Sequence, residues 1–265
     1  MGLYLKLVGV QIRSQMRYRS QFVLDTLALL LVTGLEYASL ALVFERFKSI
    51  QGWSLAEVAF LYGLVEMAFG LTDMIFGGFD APRFGRFIRQ GSFDQMMLRP
   101  IGITLQVLGS DFNLKRFGKM AVGVVIFSYA LSHLSITWTV AKLLYFPLVV
   151  LGLVLFFGGL FIIGATIIFW TVESTEVMNI FTYGGSFMMS YPMNIYETWL
   201  RNLFTFVVPA IFLNYYPALF FLGKPDPFNF PAFAPFLAPL AGLAVFLISL
   251  GFWRFGLKHY QSTGS

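Results

Sequence analysis

The chain has 265 residues, 58% of them hydrophobic and 12% charged, with no cysteine and a formal charge of +5. Such a composition cannot clothe a soluble surface, so the sequence reads as one integral membrane domain over residues 1–265. The missing cysteines remove disulfides, thiol nucleophiles and thiolate metal sites, and surplus lysine and arginine in a membrane protein point to cytoplasmic loops before nucleic acid. A span needs roughly 20 apolar residues, which allows some five to seven helices. The apolar runs are continuous rather than alternating, which favours an all-α polytopic fold over a β-barrel.

The first 21 residues predict an interfacial helix, with Leu5, Val8, Ile12 and Met16 on one stripe and Lys6, Arg13 and Arg17 on another. The apolar run that follows is too long for a signal-peptide core, so a retained first span is expected from about Phe22 to Phe44, carrying Asp25 and Glu36. Gly52-Trp53-Ser54 reads as a loop, and Ser54 with Glu57 as a capping box that opens a second span ending near Phe76. That span holds Glu66 and Asp73, seven residues apart and so on one helix face. Acids at this depth are costly and normally point into the bundle or a water-filled path. Glu36, Glu66 and Asp73 are therefore candidates for a transport route, with packing against a polar neighbour as the alternative. No basic partner is evident for them within the spans, a gap that a different membrane subunit would fill.

Pro82 to Pro100 is a charged island between apolar segments. On a helical wheel Phe84, Phe87 and Ile88 share one face while Arg83, Arg86, Arg89 and Gln90 take the other. Gly91 can stop this helix in the left-handed conformation, and Ser92 with Gln95 reads as a capping box opening a second short helix that ends before Pro100. The residues alone leave the island either a docking handle or a basic anchor on anionic lipid headgroups.

A third span is expected over about Met120–Leu134, after a basic border at Lys115, Arg116 and Lys119, and a fourth over about Leu143–Trp170, with Gly152, Gly158, Gly159 and Gly164 giving small packing faces. Residues 171–198, with Glu173, Glu176, Tyr183-Gly184-Gly185-Ser186 and Tyr191-Pro192, suit an irregular interfacial connection. Over 199–232 a broken fifth span and an outer re-entrant segment are expected, because Pro209 and Pro217 interrupt the apolar run and Gly223-Lys224-Pro225-Asp226-Pro227 ends it. A sixth span ends near Trp253. With the N-terminus inside, fourteen lysines and arginines, Arg201 among them, fall on the cytoplasmic side and four on the other, which supports six spans with both ends inside. All five tryptophans, at 53, 138, 170, 199 and 253, fall at expected span ends, where an amphipathic ring sits at headgroup level.

Catalytic chemistry is missing. Gly118-Lys119 is followed by Met120 and lacks the upstream glycine of a phosphate-binding loop, and His133 and His259 lie at opposite ends of the topology, so no metal site or triad assembles. An ion- or proton-coupled carrier using Glu66 or Asp73, or a lipid-acting enzyme built on carboxylates, stays open on the residues alone.

Ile88-Arg89-Gln90-Gly91-Ser92-Phe93-Asp94 followed by Leu98-Arg99-Pro100 resembles the signature of permeases of type-two ABC exporters. Within that class the likeness is to a subgroup of prokaryotic permeases usually encoded with a second permease and an ATPase. Gly52-Trp53-Ser54, Phe169-Trp170, Asn214-Tyr215-Tyr216-Pro217 and Lys258-His259-Tyr260-Gln261-Ser262-Thr263-Gly264-Ser265 fit as well, so the resemblance covers essentially the whole chain. It implies a six-helix permease half in the plasma membrane, an N-terminal connecting helix, and a cytoplasmic coupling helix seated in a separate ATPase dimer that binds the ATP. A second permease, copy or different chain, completes the unit, and neither cofactor nor nucleic acid is implied. The coupling residues would be Arg83, Arg86, Arg89, Gly91, Asp94, Arg99 and Pro100, with Arg86 and Arg89 contacting the ATPase or lipid phosphates and Asp94 pairing with a basic group.

Overall fold

The computed structural model describes residues 2–171 and 176–262. In chain order the elements are α1 (Gly2–Arg17), α2 (Arg19–Phe47), β1 (Ser49–Ile50), β2 (Trp53–Ser54), α3 (Leu55–Phe76), α4 (Ala81–Arg89), α5 (Ser92–Met97), α6 (Ile103–Leu108), α7 (Arg116–His133) and α8 (Val140–Thr171). Then α9 (Glu176–Asn179) runs through a π turn into α10 (Gly185–Met189), followed by α11 (Thr198–Asn202), α12 (Tyr215–Leu222) and α13 (Ala238–His259). Glu173 and the closing Thr263-Gly264-Ser265 lie outside the described residues.

Among the described residues, four helical stretches are long and apolar enough to cross a membrane: α2, the Leu55–Arg89 stretch, α8 and α13. A fifth exists if Thr198–Val207 and Ala210–Leu222, bent by 79° at Pro209, count as one. The expectation of six therefore meets four or five. The shortfall has a physical source in α7, whose first turn carries Arg116 and Lys119 and leaves only its remainder apolar.

At the centre is α3, buried on nearly every side, with α7 along one flank and α8 along the other. The Ser54–Glu57 capping box that starts it is present, with Glu57 Oε2 accepting from the Ser54 backbone N–H at 2.8 Å. Ahead of it the expected loop closes as a two-residue antiparallel ribbon, β1–β2, turned by Gln51 and Gly52, both at positive φ as a tight hairpin turn requires. Gly152 on α8 meets Gly242 on α13 backbone to backbone, where a β-carbon on either would overlap the other helix. Gly158 and Gly159 also seat neighbours, Phe76 and Val245, whereas Gly164 makes only ordinary contacts. Two helices stay peripheral, and α2 and α13 present Leu24, Leu31, Leu35, Leu42, Leu240, Leu247 and Ile248 outward.

The bundle has two chemically distinct ends, one formed by α4 and α5 and the other by the ribbon. Residues 176–189 link them. Met178 lies beside Ala81 and Gly164 at the α4 end, and the Met189 carbonyl accepts from Asn214 Nδ2 at 2.7 Å, a side chain that also reaches the Leu61 carbonyl near the ribbon. Fourteen helical residues rise roughly 21 Å. This stretch was expected as an irregular connection confined to one surface. Its π turn at Ile180–Gly184 supplies the irregularity, but the segment runs lengthwise. The bent pair instead sits at the ribbon end throughout: Tyr215 packs on Trp53, Lys142 Nζ donates to the Phe221 carbonyl at 2.8 Å, and Arg201 covers the Phe228 ring. Arg201 thus leaves the set of lysines and arginines at the α4 end.

Three further expectations shift. The inward face of α1 is Leu7, Val8, Gln11, Ile12 and Gln15 rather than the Leu5–Met16 stripe, because Gln11 and Gln15 donate to the Ser110 and Phe112 carbonyls at 2.7 and 2.5 Å. The Ser92–Gln95 capping box does not form: Gly91 takes the cap position at φ 64°, so Ser92 is already helical. Trp53 and Trp253 are buried packing residues, while Trp138, Trp170 and Trp199 are exposed as an interfacial belt needs.

Candidate coupling surface and span acids

A 3-10 turn at Gly77–Phe79 ends α3, and Pro82, which tolerates a first helical turn, lets α4 start at once. The apolar stripe of α4 faces the bundle rather than lipid. Phe84 is fully buried, with ring centroids 5.4–5.5 Å from Phe93, Phe169 and Trp253, and Ile88 is buried beside it. Gly91 then reverses the chain, and Phe93 anchors α5 against Phe169 and Tyr260. Trp253 Nε1 donates to Thr104 Oγ1 at 3.0 Å, and Gln106 Nε2 donates to the Met96 and Ile101 carbonyls, both at 2.9 Å. The elbow is therefore rigid on an aromatic base. Its outward face carries Arg86, Arg89, Gln90, Met97, Leu98, Arg99 and Pro100, and Leu98 is 86% exposed.

Two of the expected coupling residues point elsewhere. Arg83 turns inward to Asp111, with Asp80 3.9 Å away. Asp94 has no basic partner among the described residues; its two oxygens accept from Tyr260 Oη at 2.9 Å and Ser262 Oγ at 2.7 Å, tying the end of α13 to α5. Burial and this hydrogen bond push the Tyr260 hydroxyl up to about 12.

The acids of α3 do have cations, and they come from the same chain. Fully buried Asp73 lies 2.8 Å from Arg116 Nε, as an ion pair lacking hydrogen-bond alignment, and Glu66 lies 3.2 Å from Lys119 Nζ, which also sits over the Phe69 ring. Glycines make the approach possible: a β-carbon on Gly63 would come 2.7 Å from the Phe127 nitrogen, and one on Gly123 would come 2.8 Å from the Met67 nitrogen. A cation supplied by another subunit is therefore not needed for Glu66 or Asp73. Near the start of α2, Asp25 pairs with Lys115 at 3.6 Å.

Glu36 differs. It is exposed on α2, accepts from Tyr62 Oη at 3.3 Å, and borders a cavity of about 280 Å³ lined also by Leu40, Phe44, Val58, Tyr191 and Ile195. Among the described residues, no three His, Asp or Glu side chains cluster closely enough to hold a metal ion.

The pairing of Arg116 and Lys119 with Asp73 and Glu66 was missed because three basic residues before an apolar run were read only as a topological border. The signal was present: the acids repeat at seven residues on one helix and the bases at three on the next, and adjacent antiparallel spans bring such faces together.

The family model for ABC-2 family transporter proteins matches residues 30–264, spanning the elbow, the ion-paired helices and the Asp94–Ser262 contact. This chain belongs to the ABC-2 transporter family. No curated protein matches it. As an ABC-2 permease it is a multi-pass membrane transport component, and membership implies an ABC ATPase as partner.

Proposed function

We propose that this ABC-2 permease forms half of an ATP-driven exporter in the plasma membrane, paired with a second permease and seated by the α4–α5 elbow on an ATPase dimer that binds the ATP. The observation that carries this reading is the elbow itself, a braced turn whose basic and apolar side chains face away from the bundle. Arg86, Arg89, Arg99 and Leu98 make the contact, Gly91 and Pro100 set its bend and exit, and Arg83 and Asp94 brace it from behind. ATP-driven closure of the ATPases pulls the elbow, and its aromatic base passes the movement to α8 and α13.

Six crossings fit the bundle when α7 is counted, because its basic first turn is neutralised by α3 and the rest is apolar. In this arrangement residues 176–189 are the fifth crossing, and the bent pair at 198–222 is a re-entrant element on the outer side. Thirteen of the eighteen lysines and arginines lie at the α4 end, which supports a cytoplasmic α4 end with both termini inside. The ion pairs of Glu66 and Asp73 weigh against a carrier that titrates them. They support instead a structural role for both, leaving Glu36 on the transport path.

Co-purification with candidate ATPases, together with ATPase turnover, tests the coupling reading. A triple variant Arg86→Ala/Arg89→Ala/Leu98→Ala is expected to lose assembly at least tenfold while folding normally. Unchanged assembly and turnover would sink the assignment.

A further inference from the structure

Of the acids on the membrane-crossing helices, Asp25, Glu57, Glu66 and Asp73 each have a lysine or arginine within 3.6 Å, and Glu45, with none among the described residues, lies only two residues from the end of α2. Glu36 has none among the described residues. It lies eleven residues before the end of α2 at Phe47, roughly 16 Å below the ribbon end, where an exposed carboxylate facing hydrocarbon is strongly disfavoured. Something must solvate or neutralise it. The Tyr62 hydroxyl fixes one oxygen at 3.3 Å, and the adjoining cavity has apolar walls from Leu40, Phe44, Val58 and Ile195, with the Tyr191 ring beside them.

We propose that this cavity is a cargo subsite for cationic amphiphiles, in which Glu36 receives an ammonium head and the apolar walls receive the methylenes nearest it. The Glu36 carboxylate, with no cation beside it among the described residues, selects a positively charged head. The walls select an alkyl chain, since they offer no further ion-pairing group. At about 280 Å³ the space falls just short of the ~300–1,000 Å³ typical of small-molecule sites, so it suits a head and the first part of a chain rather than a whole lipid. The remainder can run along α2, where Leu35 and Leu42 are exposed. Aromatic faces near the head add attraction for a quaternary ammonium. This reading rests on the proposed exporter role, whose cargo class it names, and it is separable because binding needs no ATPase.

The test uses the full chain in nanodiscs of zwitterionic lipid, titrated with dodecyltrimethylammonium and, for comparison, with dodecyl sulfate. Saturable binding of the cation is expected, at least tenfold tighter than that of the sulfate. Glu36→Gln should weaken it tenfold or more, Glu36→Asp should retain part of it, and Val58→Phe, which fills the cavity, should weaken both probes. Equal binding of the cation to wild type and Glu36→Gln would overturn the proposal, as would equal affinity for the two probes. If a lysine or arginine of a second permease occupies Glu36 instead, the assembled complex will fail to bind the cation, and that too overturns it. Unchanged assembly and turnover in the Arg86/Arg89/Leu98 variant with cation binding intact would overturn the exporter reading alone, and loss of coupling in that variant with no preference of wild type for the cation would overturn this one alone.

Discussion

Three carboxylates within the bundle, Glu66 and Asp73 on α3 and Glu36 on α2, meet opposite surroundings. The first two are sealed between glycine-lined helices and held by Lys119 and Arg116, whereas the third stands on the bundle surface beside a cavity. The difference shows what an intramembrane acid is for. One that is neutralised within its own chain holds helices in register, and one left without a cation is available to something that arrives. Sequence depth alone treats all three alike; the neighbouring helix decides.

The largest expected effect breaks the sealed side. Arg116→Ala strands Asp73 as a buried charge and should cost about 3–5 kcal/mol, read as a lowered midpoint of thermal denaturation in detergent. Glu36→Gln, measured identically, should be neutral or stabilising, because it removes an exposed charge that has no cation within the described residues. Similar losses from the two variants would erase the contrast. Exchanging the pair, as Asp73→Arg with Arg116→Asp, should recover much of the stability and show that charge complementarity, not side-chain volume, is at stake.

Glycine substitutions sharpen the same contrast at smaller magnitude. Gly63→Ala pushes α3 from α7 and should cost about 1–3 kcal/mol by overpacking. On α2 a β-carbon at Gly34 meets nothing within 4 Å, so Gly34→Ala should be neutral or stabilising by up to about 1 kcal/mol through helix propensity. A stability loss at Gly34 in the isolated permease would show that α2 is closely packed after all.

Much of this architecture could be read from residues in sequence. The Ser54–Glu57 box and the left-handed stop at Gly91 are local, so their geometry follows from a few neighbouring side chains. The resemblance at Ile88–Pro100 pointed to the family for the same reason. What could not be read were partnerships across the fold. Lys119 looks like a loop marker until α3 is placed beside it, and Arg83 shares a wheel face with Arg86 until Asp111, twenty-eight residues on, draws it inward. Residues 176–189 hid a lengthwise helix because their glycines and polar side chains mimic a loop, while the apolar 199–222 mimics a span yet folds at one end. Trp253 was assigned to an interface by position alone, whereas its packing beneath Phe84 depends on α4 returning against α8 and α13.

The smallest expected effect concerns the brace behind the elbow, where Asp94 takes hydroxyls from Tyr260 and Ser262. Tyr260→Phe removes one hydrogen bond and should cost about 1 kcal/mol. Burial, and after it the Asp94 carboxylate, favours the protonated phenol, so the folded chain holds that proton more tightly than the unfolded one. The contribution is therefore complete below the ordinary tyrosine value of about 10 and is lost as pH rises toward about 12. Denaturation midpoints of wild type and Tyr260→Phe should differ at pH 8 and converge between pH about 10 and about 12. No difference at pH 8 would mean that Tyr260 stabilises α5 through its ring against Phe93, which phenylalanine keeps, rather than through Asp94. In that case the tail would be held by packing alone, and the elbow would be braced at its back by the aromatic base and Gln106, with no contribution from the Asp94 hydrogen bond.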